Sequence, residues 1–517
     1  MMLESWQSLR GVLIMLVVSA LGACAQLQPR PELAAEVAAQ PGADSPLDRA
    51  FAPFEALHPG QSAFRLVVDG PEAFVTRAQS ARMAQRSLDV QTYIWHADLT
   101  GLFIASELLQ AADRGVKVRL LLDDMDARAK NVGLAALAAH PQIAVRLFNP
   151  FASRRGLLRK VGEGLTNFSR VNRRMHNKGW IADNRIAIVG GRNIGDEYFG
   201  ASDAVNFVDL DFAMVGPVVR DASTSFDGYW NSPLAYPVEV LDPEGVSAAA
   251  LERLRVRLAE HMRESDGSRF AAALRADDAV RRLVAGDWPM QWTASYRFVA
   301  DDPLKTTMSE GEAGTTQVGA ALLQMLRAAQ AEVAIISPYF VPGEAGTEAL
   351  VAASGVGKQV RILTNSLAAN DVAAVHGGYE RYRKPLLAGG VKLWELKPMA
   401  GTKVESSLFG SSGASLHTKA LAVDRKTLFV GSYNLDPRST WLNSEQGVLV
   451  DSGVLAAQLE TIFSAQTAGA RAWQLGLDAG GMHWSDGSER FSSDPKASIG
   501  KRLKAWLARV FRLEAQL

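Results

Sequence analysis

At 517 residues the chain is too long for one hydrophobic core and has room for two or three domains. Its 48% hydrophobic and 21% charged composition is that of an ordinary globular protein. With 55 basic and 55 acidic residues the formal charge is zero, which speaks against a general nucleic-acid binder. The single cysteine, Cys24, excludes an intramolecular disulfide.

In chain order, residues 1–23 contain an apolar run, Gly11 to Ala23, preceded by Arg10. The run is too short to span a bilayer comfortably and has the length of a signal-peptide core. It ends Leu21-Gly22-Ala23-Cys24, which resembles the bacterial lipobox. The resemblance implies cleavage before Cys24 and lipid attachment to its sulfur, hence a membrane-anchored lipoprotein of the cell envelope facing the periplasm. Residues 24–60, rich in Ala, Pro, Gln and Glu, read as a tether.

The body is then written twice. The first half, residues 61–240, runs through a helical pattern at Val75 to Arg86 and a strand at Ser87 to Trp95. Buried strands follow at Val116 to Asp123 and Ala144 to Phe148, then the segment around His176. Residues 241–290 are charged, helical in pattern and unmatched, and read as a connector. The second half, residues 291–472, repeats the series: helix Val318 to Ala329, strands Glu332 to Phe340, Gln359 to Asn365 and Val391 to Trp394, then the segment around His417. Helices alternating with apolar strands predict α/β layers with helices covering a sheet. Residues 473–517 read as a Gly- and Ser-rich tail ending in one amphipathic helix.

Each half ends in the same motif. Copy one is His176-Asn-Lys178 with Asp183, Gly190, Gly191 and Asn193; copy two is His417-Thr-Lys419 with Asp424, Gly431, Ser432 and Asn434. In extended chain, residues two apart share a face, so each His and Lys point the same way. An imidazole can attack phosphorus or move a proton near neutral pH, and a neighbouring ammonium neutralises phosphoryl oxygens. Gly190-Gly191 and Gly431-Ser432 permit a tight turn and close backbone approach to an anion. Asn193, Ser432 and Asn434 are candidate phosphate contacts. Asp183 and Asp424 complete the signature and are expected to bind turn amides or cations. The pattern predicts one phosphodiester-cleaving site built from both copies.

The doubled H-x-K-x₄-D pattern is the signature of the phospholipase D superfamily, which the chain resembles from about Phe64 to Val450. The resemblance implies two α-β-α sandwich domains related by a pseudo-twofold axis and sharing one active site. It also implies a two-step reaction through a phosphohistidine, with His176 as nucleophile, His417 as acid and base, and Lys178 and Lys419 on the phosphoryl oxygens. No metal or other cofactor is expected, since the lysines supply the charge. A nucleophilic imidazole needs a carboxylate on its other nitrogen. Glu445 and Asp209, each opening an apolar strand after its motif, are the candidates, with Asp211 the alternative to Asp209.

Several further stretches resemble bacterial cardiolipin synthases, the C type in particular. They include Tyr93-Ile-Trp-His-Ala-Asp98, Gly191-Arg-Asn-Ile-Gly-Asp-Glu-Tyr198 and Ser432-Tyr-Asn-Leu-Asp-Pro-Arg438. This implies transfer of a phosphatidyl group onto phosphatidylglycerol, with phosphatidylethanolamine as donor in the C type. Lipid hydrolysis is the alternative and nucleic-acid cleavage the remoter one. Phospholipid substrates and a membrane are therefore the expected partners, no nucleic acid is expected, and the sequence does not identify an accessory protein. Two features fit a membrane surface. Arg154 to Arg174 is basic, and the last helix sets Ile499, Leu503, Trp506, Leu507, Val510 and Leu517 on one face with cations mostly off it. That helix is equally readable as one docked on the body. His96 and His376 are candidates for the pocket wall; His58, His140, His261 and His483 read as ordinary surface or packed residues.

Overall fold

The computed structural model describes residues 27–125, 133–152, 167–203, 205–276, 288–308, 316–370, 372–398 and 416–511. The leader, Cys24 and Leu517 lie outside these residues, as do Arg154, Arg155, Arg159 and Lys160 of the basic segment.

The first sheet holds β1 (Ser62–Val67), β2 (Ser87–Thr92), β3 (Lys117–Asp123), β4 (Ile143–Phe148), β5 (Gly179–Ala182), β6 (Ile186–Gly190), β7 (Asp211–Val215), β8 (Ala235–Pro237) and β9 (Gln291–Thr293). The second holds β10 (Tyr296–Ala300), β11 (Glu332–Ile336), β12 (Gln359–Asn365), β13 (Lys392–Leu396), β14 (Ala420–Val423), β15 (Thr427–Gly431), β16 (Gln446–Asp451), β17 (Ala472–Asp478), β18 (Gly481–Ser485) and β19 (Arg490–Phe491). The spatial order β8-β4-β3-β2-β5-β6-β7-β1 of the first is repeated as β17-β13-β12-β11-β14-β15-β16-β10 in the second. In each, one parallel triplet (β2-β3-β4, β11-β12-β13) joins an antiparallel set. The internal repeat is thus a repeat of topology.

Strand alternation sorts side chains onto two faces. In β6, Ile186 and Ile188 enter the outer core of the first half with Val90, Leu120 and Phe74. Ala187 and Val189 enter a central core shared with Ile336, Ala420, Val430 and Val448 of the second half. The second half has its own outer core around Ile335, Ile362, Tyr379 and Trp473. Helices Pro217–Asn231 and Gly453–Thr467 put Phe226, Trp230, Leu455 and Phe463 into the central core, so each sheet is covered on both faces. Side-chain caps fix helix starts: Asp69 accepts from Glu72 N–H, Asp98 from Gly101 N–H and Ser452 from Leu455 N–H.

Three stretches outside the repeat are packed onto it. The described part of the tether is docked. Glu36 accepts from Lys117 (2.5 Å), Arg146 (3.0 Å) and Trp230 (3.2 Å). A capped helix, Pro46–Leu57, buries Leu47, Ala50 and Phe51, and its Asp48 takes Arg86 and Arg185 at 2.6 Å. The connector's helix Ala248–Glu264 packs Leu251, Leu254 and Leu258 into the first core, and β9, at the start of the expected second half, pairs with β1 in the first sheet. Gly480 and Gly487 of the tail belong to turns of a meander: β17, β18 and β19 extend the second sheet beyond β13. Among the described residues no helix is long and apolar enough to cross a membrane.

Candidate active site

His176 and His417 sit just before β5 and β14, the strands that border the parallel triplets. Two short parallel bridges join the halves there, Met175 with Ser444 and Leu416 with Val208. The His176 amide donates to Ser444 O (2.9 Å) and the His417 amide to Val208 O (2.8 Å). Each bridge sets a histidine beside the first residue after the other half's bridging position. His176 Nδ1 therefore meets both Glu445 oxygens (3.0 and 2.9 Å), and His417 Nδ1 meets Asp209 Oδ2 (2.6 Å). The carboxylates are crossed: each half orients the other half's imidazole.

An ionised carboxylate only accepts, so the proton is held on Nδ1 and Nε2 is the ring atom available for chemistry. Glu445 is fully buried and also accepts from Ser432 Oγ and from Ser439 Oγ (2.9 Å). Its carboxyl is pushed up to about 6 by burial, against the pull of Lys178 and the two serines. His176 is held well below 6.5 by burial, then by Lys178, Lys419 and Arg438. His417 is held down to about 4 by burial and then Lys419, with Lys178 adding to the effect and Asp209 opposing it. Each imidazole thus feels the lysine of both copies, the electrostatic sign of one shared site. Lys178 and Lys419 donate to their own histidine's carbonyl at 2.6 Å. Burial lowers the Lys178 ammonium well below the ordinary lysine range.

Aromatic rings frame the imidazoles. Tyr93 lies edge-on to His176 at 5.1 Å, with Lys178 Nζ 5.3 Å from its ring centre. Tyr198 is edge-on to His417 at 5.3 Å and Phe207 stacks on it at 5.2 Å. Arg438 clamps the halves, donating to Asn172 Oδ1 and O at 2.7 Å.

The remaining motif residues sit around this centre. The Asp183 carboxylate accepts from the amides of Gln85, Arg86 and Ser87, and Asp424 from those of Gln330, Ala331 and Glu332. Both occupy positive φ, at 51° and 54°. Asn193 accepts from Ile94 N–H (3.2 Å) and donates to Tyr198 Oη (2.9 Å), which ties it to the ring beside His417. Asn434 donates its backbone N–H to Ser439 Oγ (3.1 Å), and its buried Oδ1 has no partner among the described residues. Ser432 turns its hydroxyl to Glu445. The glycines make room for carboxylates and strand: a Cβ on Gly191 would collide with Asp209, and one on Gly431 with the Gln446 carbonyl. Asp211 pairs with Arg77 (3.0 Å) and Arg192 (3.2 Å), away from both histidines.

Arg174, expected to attract headgroups, is buried and spent on Val171 O, Asn149 O and Asp123. His96 pairs with Glu197 (3.1 Å) and His376 with Asp494 (3.2 Å). With Asp98 and with Glu380 respectively, these form two groups of metal-capable side chains that residue spacing did not show. Ser439, Phe207 and Asn177 also escaped the sequence reading. Asn177 donates to Gln446 Oε1 (3.3 Å) and accepts from Ser444 Oγ (3.0 Å) across the halves, a pairing only the assembled sheets create.

Two topologically matched sheets meeting at a doubled His-Lys centre define a phospholipase D-like protein. The solved phosphatidylserine synthase of Haemophilus influenzae superposes with a TM-score of 0.56 over 91% of this chain and 100% of that one, at 13% identity, and shares the fold. The family model described as "Cardiolipin synthase, PLD-like domain" matches residues 78–230 and 322–467. "Cardiolipin synthase C" of Escherichia coli is 42% identical over 90% of this chain and 99% of its own length. "Cardiolipin synthase A" of Pseudomonas syringae is 27% identical over 78% of this chain and 67% of its own. The chain belongs to the cardiolipin synthase family of phospholipase D-like proteins.

Proposed function

We propose that this enzyme makes cardiolipin by moving a phosphatidyl group from a donor phospholipid, which the C-type resemblance implies is phosphatidylethanolamine, to the free glycerol hydroxyl of phosphatidylglycerol. In the first step Nε2 of His176 attacks phosphorus, the bond from phosphorus to the headgroup oxygen breaks, and His417 gives its proton to the leaving alcohol. In the second, His417 takes the proton of the incoming hydroxyl, whose oxygen attacks phosphorus and releases His176. Glu445 stabilises His176 as it becomes cationic, and Asp209 supports His417 in its protonated form. Lys178 and Lys419 hold the phosphoryl oxygens. The neutral resting histidines suit attack by His176; the bound phosphodiester's negative charge favours the proton that His417 must carry. The observation that carries this reading is the crossed pairing of both imidazoles inside a chain that shares 42% identity with a cardiolipin synthase over nearly its whole length.

We further propose, on the lipobox-like Leu21-Gly22-Ala23-Cys24, that the protein sits in the bacterial cell envelope, held by a lipidated Cys24 and facing the periplasm. The deciding experiment is mass spectrometry of lipids formed from vesicles of phosphatidylethanolamine and phosphatidylglycerol. Cardiolipin formation that is lost in His417→Ala is the expected result. Phosphatidic acid alone identifies a hydrolase and overturns the transferase reading.

A further inference from the structure

The helix Ile499–Val510 is docked on the body and apolar on the opposite side. Ser498 caps it by accepting from Lys501 N–H. Its docked face is Lys501, Ala505 and Ala508, all buried. Lys501 Nζ donates to Ala368 O and Asn370 O (2.8 Å each), and Ala505 rides so closely over Gly377 of helix Ala373–Ala388 that a Cβ there would strike its carbonyl. Arg509 pairs with Glu380 at 3.1 Å.

On the other side, Ile499 is 86% exposed, Leu503 54%, Trp506 47%, Val510 51% and the following Phe511 69%, with Leu507 beside them. At about 100° per residue, Ile499, Leu503, Trp506, Leu507 and Val510 fall within an arc of about 100°. The basic side chains Arg502 and Arg509 flank that arc on one side and Lys504 on the other, and the helix carries no acid. Apolar ridge, basic flanks and a separate docked face are the pattern of a helix lying in a lipid interface, with cations at headgroup depth.

The helix is also placed at the catalytic end. Lys501 holds the loop that leaves β12, whose last residue, Asn365, donates to Leu416 O (3.0 Å) and accepts from Leu416 N–H (3.2 Å), next to His417.

We propose that the exposed face of Ile499–Val510 is a docking surface for an anionic phospholipid bilayer and seats the enzyme with its catalytic end at the membrane. The charge of the flanks favours an anionic bilayer: Arg509 is held by Glu380 and Arg502 by the Ala497 and Asp494 carbonyls, and the three cations outnumber the carboxylate that pairs with them. The choice of an anionic lipid rests on the phospholipid-substrate reading. The test reads binding without turnover, so the two fail separately.

The test uses the full chain with Cys24→Ser, which removes the only thiol, and Trp506→Cys labelled with an environment-sensitive fluorophore. Vesicles are phosphatidylcholine alone or phosphatidylcholine with phosphatidylglycerol, each with and without a lipid bearing a quencher in its acyl chain. The expected result is a blue shift and quenching on phosphatidylglycerol vesicles, weakened by salt, while the same probe at exposed Val356→Cys stays unquenched. Replacing Leu503, Trp506 and Val510 together by Ser lowers vesicle affinity by about tenfold or more. These side chains are exposed, and an unchanged melting temperature shows the variant folded. No quenching at position 506, or unchanged affinity in the triple variant, overturns the proposal. So does a dimer in solution that the triple substitution dissociates, which would make a second copy the occupant.

Discussion

Replacing Glu445 by Gln keeps its shape and removes its charge. The carboxylate faces His176 Nδ1 with both oxygens, at 3.0 and 2.9 Å, from a fully buried position. A hydrogen bond to a charged group contributes about 1.5–3 kcal/mol, and each 1.36 kcal/mol is tenfold in rate, so kcat falls about 10- to 150-fold. KM changes little, because the charge matters most when His176 becomes cationic. A second effect separates this role from a merely structural one. Glu445 supports the ammonium of Lys178, which burial already holds low. Without Glu445 that ammonium loses its proton more readily, and the alkaline limb of the kcat/KM profile moves to lower pH. Glu445→Asp, which keeps the charge, restores the limb. The assay is initial-rate formation of lipid product on mixed vesicles from pH 5 to 10, with the melting temperature as folding control. An activity within about threefold of wild type, with an unmoved alkaline limb, refutes the reasoning.

Three further outcomes follow from the same geometry. With a phosphatidyl ester of p-nitrophenol, whose leaving group needs no proton, His417→Ala accumulates a covalent adduct on His176, visible by intact mass; His176→Ala forms none, and the reverse pattern exchanges the roles. Asp183→Ala leaves three backbone amides without their acceptor and destabilises by about 2–4 kcal/mol in urea denaturation, whereas Asp424→Ala costs less because the Gln330 and Ala331 amides are reached by water. His417, at about 4 in the folded protein against about 6.5 unfolded, is protonated first in the unfolded chain, so stability is lost as pH falls through that window. Glu445, raised to about 6 from 4.5, acts oppositely and adds stability as pH falls from about 6 to about 4.5. His417→Gln isolates the first contribution: its unfolding free energy falls less steeply than that of wild type between pH 6.5 and 4, by at most about 3.4 kcal/mol in total.

The sequence was most legible where chemistry repeats. Two motifs of identical spacing at the ends of matched strand series implied a doubled sheet, and the strand orders agree. Asp209 and Glu445 could be picked out as carboxylates opening apolar strands, but spacing along a chain cannot say which histidine each serves. That pairing is made by the bridges Met175–Ser444 and Val208–Leu416, contacts between halves that local pattern does not encode. Composition misled at both ends. An Ala- and Pro-rich stretch reads as a tether, yet one half-buried carboxylate, Glu36, meets Lys117, Arg146 and Trp230. Gly and Ser read as a loose tail, yet they turn the meander that carries Trp473 and Trp484 into the second core. The doublet Gly190-Gly191 reads as room for an anion, and the anion closest to Gly191 is the Asp209 carboxylate of the same half.

The crossed carboxylates also bear on how the chain is born. His176 and the Glu445 that orients it are 269 residues apart, and His417 waits on an Asp209 made 208 residues earlier. A ribosome that has delivered the whole first half has delivered an imidazole with no carboxylate and a carboxylate with no imidazole. Lipid-cutting power is therefore withheld until synthesis is almost finished and the two halves have closed on each other. A fragment that holds one half alone carries its imidazole without the carboxylate that the other half supplies.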